Sequence, residues 1–68
     1  MNAPRLRGLI AEKYRTPSEM AASMGWRPDK LNRILSGKQR TTTDDVFEIA
    51  TALGIINAYE DVVSIFIT

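Results

Sequence analysis

The sequence contains neither cysteine nor histidine. Without cysteine no disulfide staples the fold, and nothing points to an oxidising compartment. With both residues missing, a zinc site would have only carboxylates to draw on, a poor donor set for that ion. There is also no glycine-rich phosphate loop and no carboxylate pair in a plausible cleft, so an enzyme is not expected. No apolar run approaches the roughly 20 residues of a membrane-spanning helix. Arg5, Arg7, Glu12 and Lys13 interrupt any signal-peptide core near the N-terminus. The expectation is one cytoplasmic domain over residues 1–68, with no metal, cofactor, membrane or small-molecule ligand. A domain of this size buries only roughly 60% of its unfolded surface and gains from self-association.

Basic residues are missing from one end. All nine Lys and Arg lie in residues 1–40, beside three acids (Glu12, Glu19, Asp29). Residues 41–68 hold five acids (Asp44, Asp45, Glu48, Glu60, Asp61) and no base. The overall net charge of +1 conceals this division. Such asymmetry suggests a face for an anionic partner and an end kept away from it.

Prolines and glycines punctuate the chain. Pro4, Pro17 and Pro28 each suit the first turn of a helix, and Gly25, Gly37 and Gly54 each suit a helix end. Between these marks, apolar residues recur at helical spacing. The segments are Leu6, Leu9, Ile10 and Tyr14; then Met20, Ala21 and Met24; then Leu31, Ile34 and Leu35; then Val46, Ile49, Ala50 and Leu53. They predict helices near 4–14, 17–24, 28–36 and 43–53. Gly8 lies within the first, either on its exposed side or at a close approach. Thr16 with Glu19 reads as a capping box, and Thr42 as an N-cap with Asp44 and Asp45 in the first turn. Arg27 falls at the N-cap of the third helix, a position it fills poorly because it offers no acceptor. In the tail, Asn57 with Glu60 again reads as a capping box and favours a helix over 58–66. "VVSIFIT" is β-branched and aromatic and favours a strand; the balance leans to the helix. The fold class is therefore all-α, with four to five helices.

Two short helices joined by a glycine turn, with small Ala21 on the first, describe a helix-turn-helix. "TPSEMAASMGWRPDKLNRILSGKQRTTTDDVFEIATALGI", residues 16–55, resembles the Cro/C1-type (XRE-like) helix-turn-helix family without a gap. The matching positions include Thr16, Glu19, Met20, Ala21, Gly25, Leu31, Arg33, Ile34, Gly37, Lys38, Ile49, Ala50, Leu53 and Gly54. "SGK" and "IATALGI" are the most specific pieces, and the first helix fits loosely. The resemblance implies a five-helix, lambda-repressor-like domain that binds operator DNA as a transcriptional regulator, usually as a dimer. Two departures stand out. Pro17 replaces a Gln that often clamps a phosphate in the family, and the recognition helix opens Arg27-Pro28-Asp29 in place of a Ser or Thr cap followed by polar residues.

A recognition helix reads bases with its N-terminal residues while flanking groups hold phosphates. With Leu31, Ile34 and Leu35 turned inward, Pro28, Asp29, Lys30, Asn32 and Arg33 are expected outward. Arg33 suits a bidentate bond to guanine, Asn32 one to adenine or a phosphate, Asp29 one to cytosine, and Pro28 an apolar contact with a thymine methyl. The plainer alternatives are a salt bridge between Asp29 and Arg33 and an ordinary first-turn proline. Arg27, Lys30, Ser18, Ser36, Lys38 and Arg40 are the phosphate candidates. Trp26 is expected to pin the turn from within the core.

The tail from 56 to 68 is more apolar than a chain end needs to be. Tyr59, Val62, Val63 and Phe66 are the expected homodimer contacts. The resulting expectation is a phage- or prophage-type repressor acting on a palindromic operator in a bacterial cell. The alternative is an antitoxin whose apolar tail binds a heterologous protein.

Overall fold

Proline stands in the first turn of three of the five helices. A computed structural model describes residues 1–67 of the chain. Helix α1 (Ala3–Tyr14) carries Pro4 in its first turn, and the Asn2 side chain accepts the Arg5 amide at 3.2 Å. Helix α2 (Pro17–Met24) is capped by Thr16, whose hydroxyl accepts the Glu19 amide at 3.2 Å. Glu19 makes no return bond among the described residues, so the expected capping box is half formed. Helix α3 (Pro28–Leu35) follows Arg27, and no side chain caps it. Ser36, expected inside that helix, is instead its C-cap.

Helix α4 (Thr43–Leu53) begins with a complete capping box that the sequence did not announce. The Thr42 hydroxyl accepts the Asp45 amide and the Asp45 carboxylate accepts the Thr42 amide, both at 3.1 Å. Helix α5 (Tyr59–Phe66) settles the tail as helical. The expected Asn57–Glu60 box does not form there. The helix opens at Tyr59, which makes Ala58 the N-cap and leaves Asn57 one residue too early to reach the free amides.

Three helices end in the same way. Gly25, Gly37 and Gly54 hold φ of +75°, +77° and +75°. The amide of the next residue (Trp26, Lys38 or Ile55) donates back across the turn to Ala21, Arg33 or Ala50, respectively, at 2.8–3.0 Å. In this type of ending the following residue commonly makes an apolar contact with the helix it closes. Ile55 is buried and Trp26 packs at the core edge, whereas after α3 the position is taken by exposed Lys38. The turn beyond α3 is thus directed to solvent.

Each helix contributes one to three residues to the core. Leu6 and Ile10 of α1, Met20 and Ala21 of α2, Leu31, Ile34 and Leu35 of α3, Ile49, Ala50 and Leu53 of α4, and Ile65 of α5 are all buried. Gly8 lies on the exposed side of α1 with nothing near the place a Cβ would occupy. Helix α3 packs chiefly on α2, and α5 closes over α1. The Asn2 amide donates to the Ile65 carbonyl, and Arg5 pairs with Asp61 at 3.1 Å. The Tyr14 hydroxyl donates to the Ala52 carbonyl at 2.7 Å and ties the end of α1 to α4.

One charged residue is in the core. Asp45 is 5% exposed, and its second carboxylate oxygen meets Lys30 Nζ at 3.0 Å. Val46, expected to face the core, is only half buried. Burial pushes the Asp45 carboxyl up, but the Thr42 amide, the Lys30 ammonium and the Thr42 side chain together outweigh it and hold the group below an ordinary Asp. A depressed carboxyl binds its proton less tightly folded than unfolded, so stability rises with pH through the ordinary carboxylate range. The contribution is fully present at neutral pH and is lost as pH falls through the folded value. Urea unfolding between pH 7 and pH 3 should show this loss, and Asp45→Asn should flatten it. At pH 7, Asp45→Ala should cost about 2 kcal/mol, since it removes a cap and leaves Lys30 without its partner.

Candidate nucleic-acid interface

Burial of Leu31, Ile34 and Leu35 leaves a defined exposed edge on α3. Pro28, Asp29, Asn32 and Arg33 are all exposed, as expected. Arg33 Nη2 sits 3.3 Å from Asp29 Oδ2, one turn away along the helix. The side chains are 60% and 56% exposed, so this pair contributes only about 0.3–0.5 kcal/mol to the fold. Its effect on direction is a bias: Asp29 favours a guanidinium lying along the helix edge with donors still free. Asn32 Nδ2 donates to the Pro28 carbonyl at 3.3 Å, which leaves the Asn32 side-chain oxygen facing outward.

Lys30 is not part of that edge. The sequence placed it outward as a phosphate candidate; in the fold it is half buried, with its ammonium on Asp45. The same ammonium lies 4.1 Å from the centre of the Trp26 ring, a cation–π contact worth about 0.5–1 kcal/mol. Trp26 was expected within the core. It packs at the core margin instead, because its indole N–H reaches Glu48 Oε2 at 3.3 Å and draws the ring towards the surface. Ser36 is a second departure: its hydroxyl donates to the Asn32 carbonyl at 2.8 Å, so its proton is spent closing α3 rather than free for a phosphate.

The remaining cations sort cleanly. Arg5, Lys30 and Arg33 make ion pairs, whereas Arg7, Lys13, Arg15, Arg27, Lys38 and Arg40 make none among the described residues. Arg27 and Lys38 stand at the two ends of α3, with Arg40 just beyond. Ser18, in the first turn of α2, is exposed beside amides that no helical carbonyl satisfies. Sequence reasoning passed over Arg15. It precedes the α2 cap, is exposed, and holds φ of +74° without being glycine. Its cue was its place next to a capping threonine.

The apolar surplus lies somewhat away from where the sequence put it. Val62 and Phe66 are half buried and pack on the core, and Val63 is half buried as well. Of the four expected contacts only Tyr59 is well exposed, at 78%. Phe47 of α4, 62% exposed, and Ile56 stand out with it. Together with Val46, Ala50 and Val62 they line a groove of about 440 Å³ between α4 and α5. The reason is the turn at Gly54, which lays α5 beside Phe47 and uses the other side of α5 to cover α1.

No helix among the described residues is long and apolar enough to cross a membrane. No cluster of three or more His, Cys, Asp or Glu among them is placed to hold a metal ion. No family model, curated protein or solved structure matches the chain.

Arg27 gives a direct test of the local argument. Arg27→Ser supplies the acceptor that α3 lacks and should stabilise the fold by about 1 kcal/mol, read from the urea midpoint. A destabilised variant would mean that Arg27 has a structural partner.

Proposed function

We propose that the chain is a sequence-specific DNA-binding transcriptional regulator, a cytoplasmic repressor that reads the major groove with α3. The observation that carries this reading is the exposed edge of α3. Its core side is filled, yet its free side holds Asn32 and an Arg33 paired with Asp29, with Arg27 and Lys38, which make no ion pair among the described residues, at the two ends. A helix of eight residues is about 12 Å long, comparable with the roughly 12 Å width of the B-DNA major groove. Guanine offers Arg33 a two-acceptor edge, and the backbone phosphates offer counter-charges to Arg27, Lys38, Arg40 and Arg15. The likeness of residues 16–55 to the Cro/C1-type pattern supports the same assignment. Asp29 braces Arg33 in the free protein; on DNA it either keeps that role or accepts from a cytosine amine.

The groove between α4 and α5 supports a homodimer on a palindromic operator. Phe47 and Tyr59 protrude beside the groove that such side chains fill, so one surface offers both halves of a two-fold contact. It belongs to the part of the chain without Lys or Arg. A heterologous protein on this same groove, as in an antitoxin, is the second reading; a stoichiometric partner copurifying from the native host distinguishes it.

Selection from a random-sequence DNA pool at two salt concentrations tests the main reading. A preferred palindrome should emerge, and affinity should fall steeply with salt. Arg33→Ala should cost about 1–3 kcal/mol at one position of each half-site while leaving the others intact. A pool recovered without sequence preference contradicts the assignment. Sedimentation equilibrium tests the dimer. Phe47→Glu should shift the protein towards monomer, and added salt should change self-association little, since the groove is lined by uncharged residues. Salt therefore separates the two equilibria, weakening DNA binding while sparing the dimer.

A further inference from the structure

Asp45 is buried and Lys30 half buried, and together they join the exposed helix to the rest of the domain. Asp45 is held by the start of its own helix, through the Thr42 amide and hydroxyl. Its remaining oxygen takes Lys30 Nζ at 3.0 Å. Three residues further along α4, Glu48 takes the indole N–H of Trp26, immediately before the N-cap of α3. Lys30 also lies over the Trp26 ring, so the two attachments brace each other. The entry to α3 is thereby fastened at two points on one side of α4.

The apolar contacts of α3 do not do this. Helix α3 packs chiefly on α2 and α1; its buried aliphatic stripe sets which side faces inward, and that non-directional attraction leaves a finer rotation to be fixed. A hydrogen-bonded ion pair has a direction. Lys30 is about 100° round α3 from Asp29, so a turn of the helix that moves Arg33 also drags the ammonium off Asp45.

We propose that the Lys30–Asp45 pair, braced by Trp26, is a positioning device that sets the rotation of α3 and thereby the DNA sequence its exposed edge reads. This rests on α3 being the DNA-reading helix. Lys30 and Asp45 are positioning residues: they govern discrimination between sequences without contacting DNA, and Lys30 is not one of the phosphate contacts.

The full chain, the duplex selected from a random pool and its single-mismatch variants suffice for a test. Two quantities are read: the slope of log affinity against log salt, and the ratio of affinities for matched and mismatched duplex. Lys30→Met should leave the slope unchanged and lower the ratio by about tenfold, the scale of one well-placed base contact. Asp45→Asn should do the same, although it removes no positive charge. Lys30→Arg, which can pair with Asp45 and lie over Trp26, should restore the ratio. Arg27→Ala is the contrast and should lower the slope by about one. A slope lowered by about one in Lys30→Met makes Lys30 a phosphate contact and overturns the proposal. A reduced unfolding midpoint with an unchanged ratio overturns it too, since the pair is then merely structural. The single tryptophan gives a DNA-free arm. Lys30→Met and Asp45→Asn should each shift Trp26 emission, and the double variant should shift it no further. Additive or absent shifts show that the latch does not exist. A wild-type protein with no sequence preference removes the premise instead, whatever Trp26 reports.

Discussion

A single carboxylate connects the parts of this domain. Asp45 begins α4 by accepting the Thr42 amide, and with its other oxygen it receives Lys30 from α3. A buried carboxylate is costly unless its lone pairs are met. Here they are met by groups from two segments, so α3 and the start of α4 support each other. The direction of the Asp45 pKa shift records the outcome, with the partners outweighing burial. Trp26 and Glu48 extend the same join, and the three aliphatic residues of α3 fill the space beneath it.

That arrangement explains the division of labour along α3. An eight-residue helix cannot be stable alone, so it must be fastened on one side by packing and at one end by the latch. Its other side is then rigid without being engaged. Asp29 and Arg33 use that freedom to make a pair of little energetic worth that biases the guanidinium towards the helix edge. The turn after α3 repeats the glycine ending of α2 and α4 but substitutes Lys38 for the apolar anchor. Cations at both ends and a braced arginine between them suit an anionic, edge-patterned ligand, and duplex DNA has both properties.

Much of this was legible in the sequence because its signals are local. Proline in three first turns, glycine at three helix ends and aliphatic residues at helical spacing placed the helices to within about a residue at most ends. The outward positions of Pro28, Asp29, Asn32 and Arg33 followed from the inward ones. What was hidden depends on contacts between segments. Thr42 at the N-cap selects Asp45 over Asp44 for the capping box, but the burial of Asp45 also depends on Lys30, fifteen positions earlier, which no neighbouring residue reveals. Lys30 was misplaced for the same reason. Phe47 was overlooked because its exposure depends on where the Gly54 turn sends α5, and Val62, Val63 and Phe66 were overcounted as surface because that turn directs part of α5 against the core.

In the proposed function, α3 presents its exposed edge to duplex DNA. Amide chemical-shift mapping of the full chain during titration with its selected duplex tests it most directly. Contact through that edge predicts shifts concentrated at Arg27 and Asp29–Arg33, at Arg15, Ser18 and Glu19, and at Lys38–Arg40, with Arg7 and Lys13 little affected. Shifts confined to α5, or spread evenly over the basic residues irrespective of position, would contradict it.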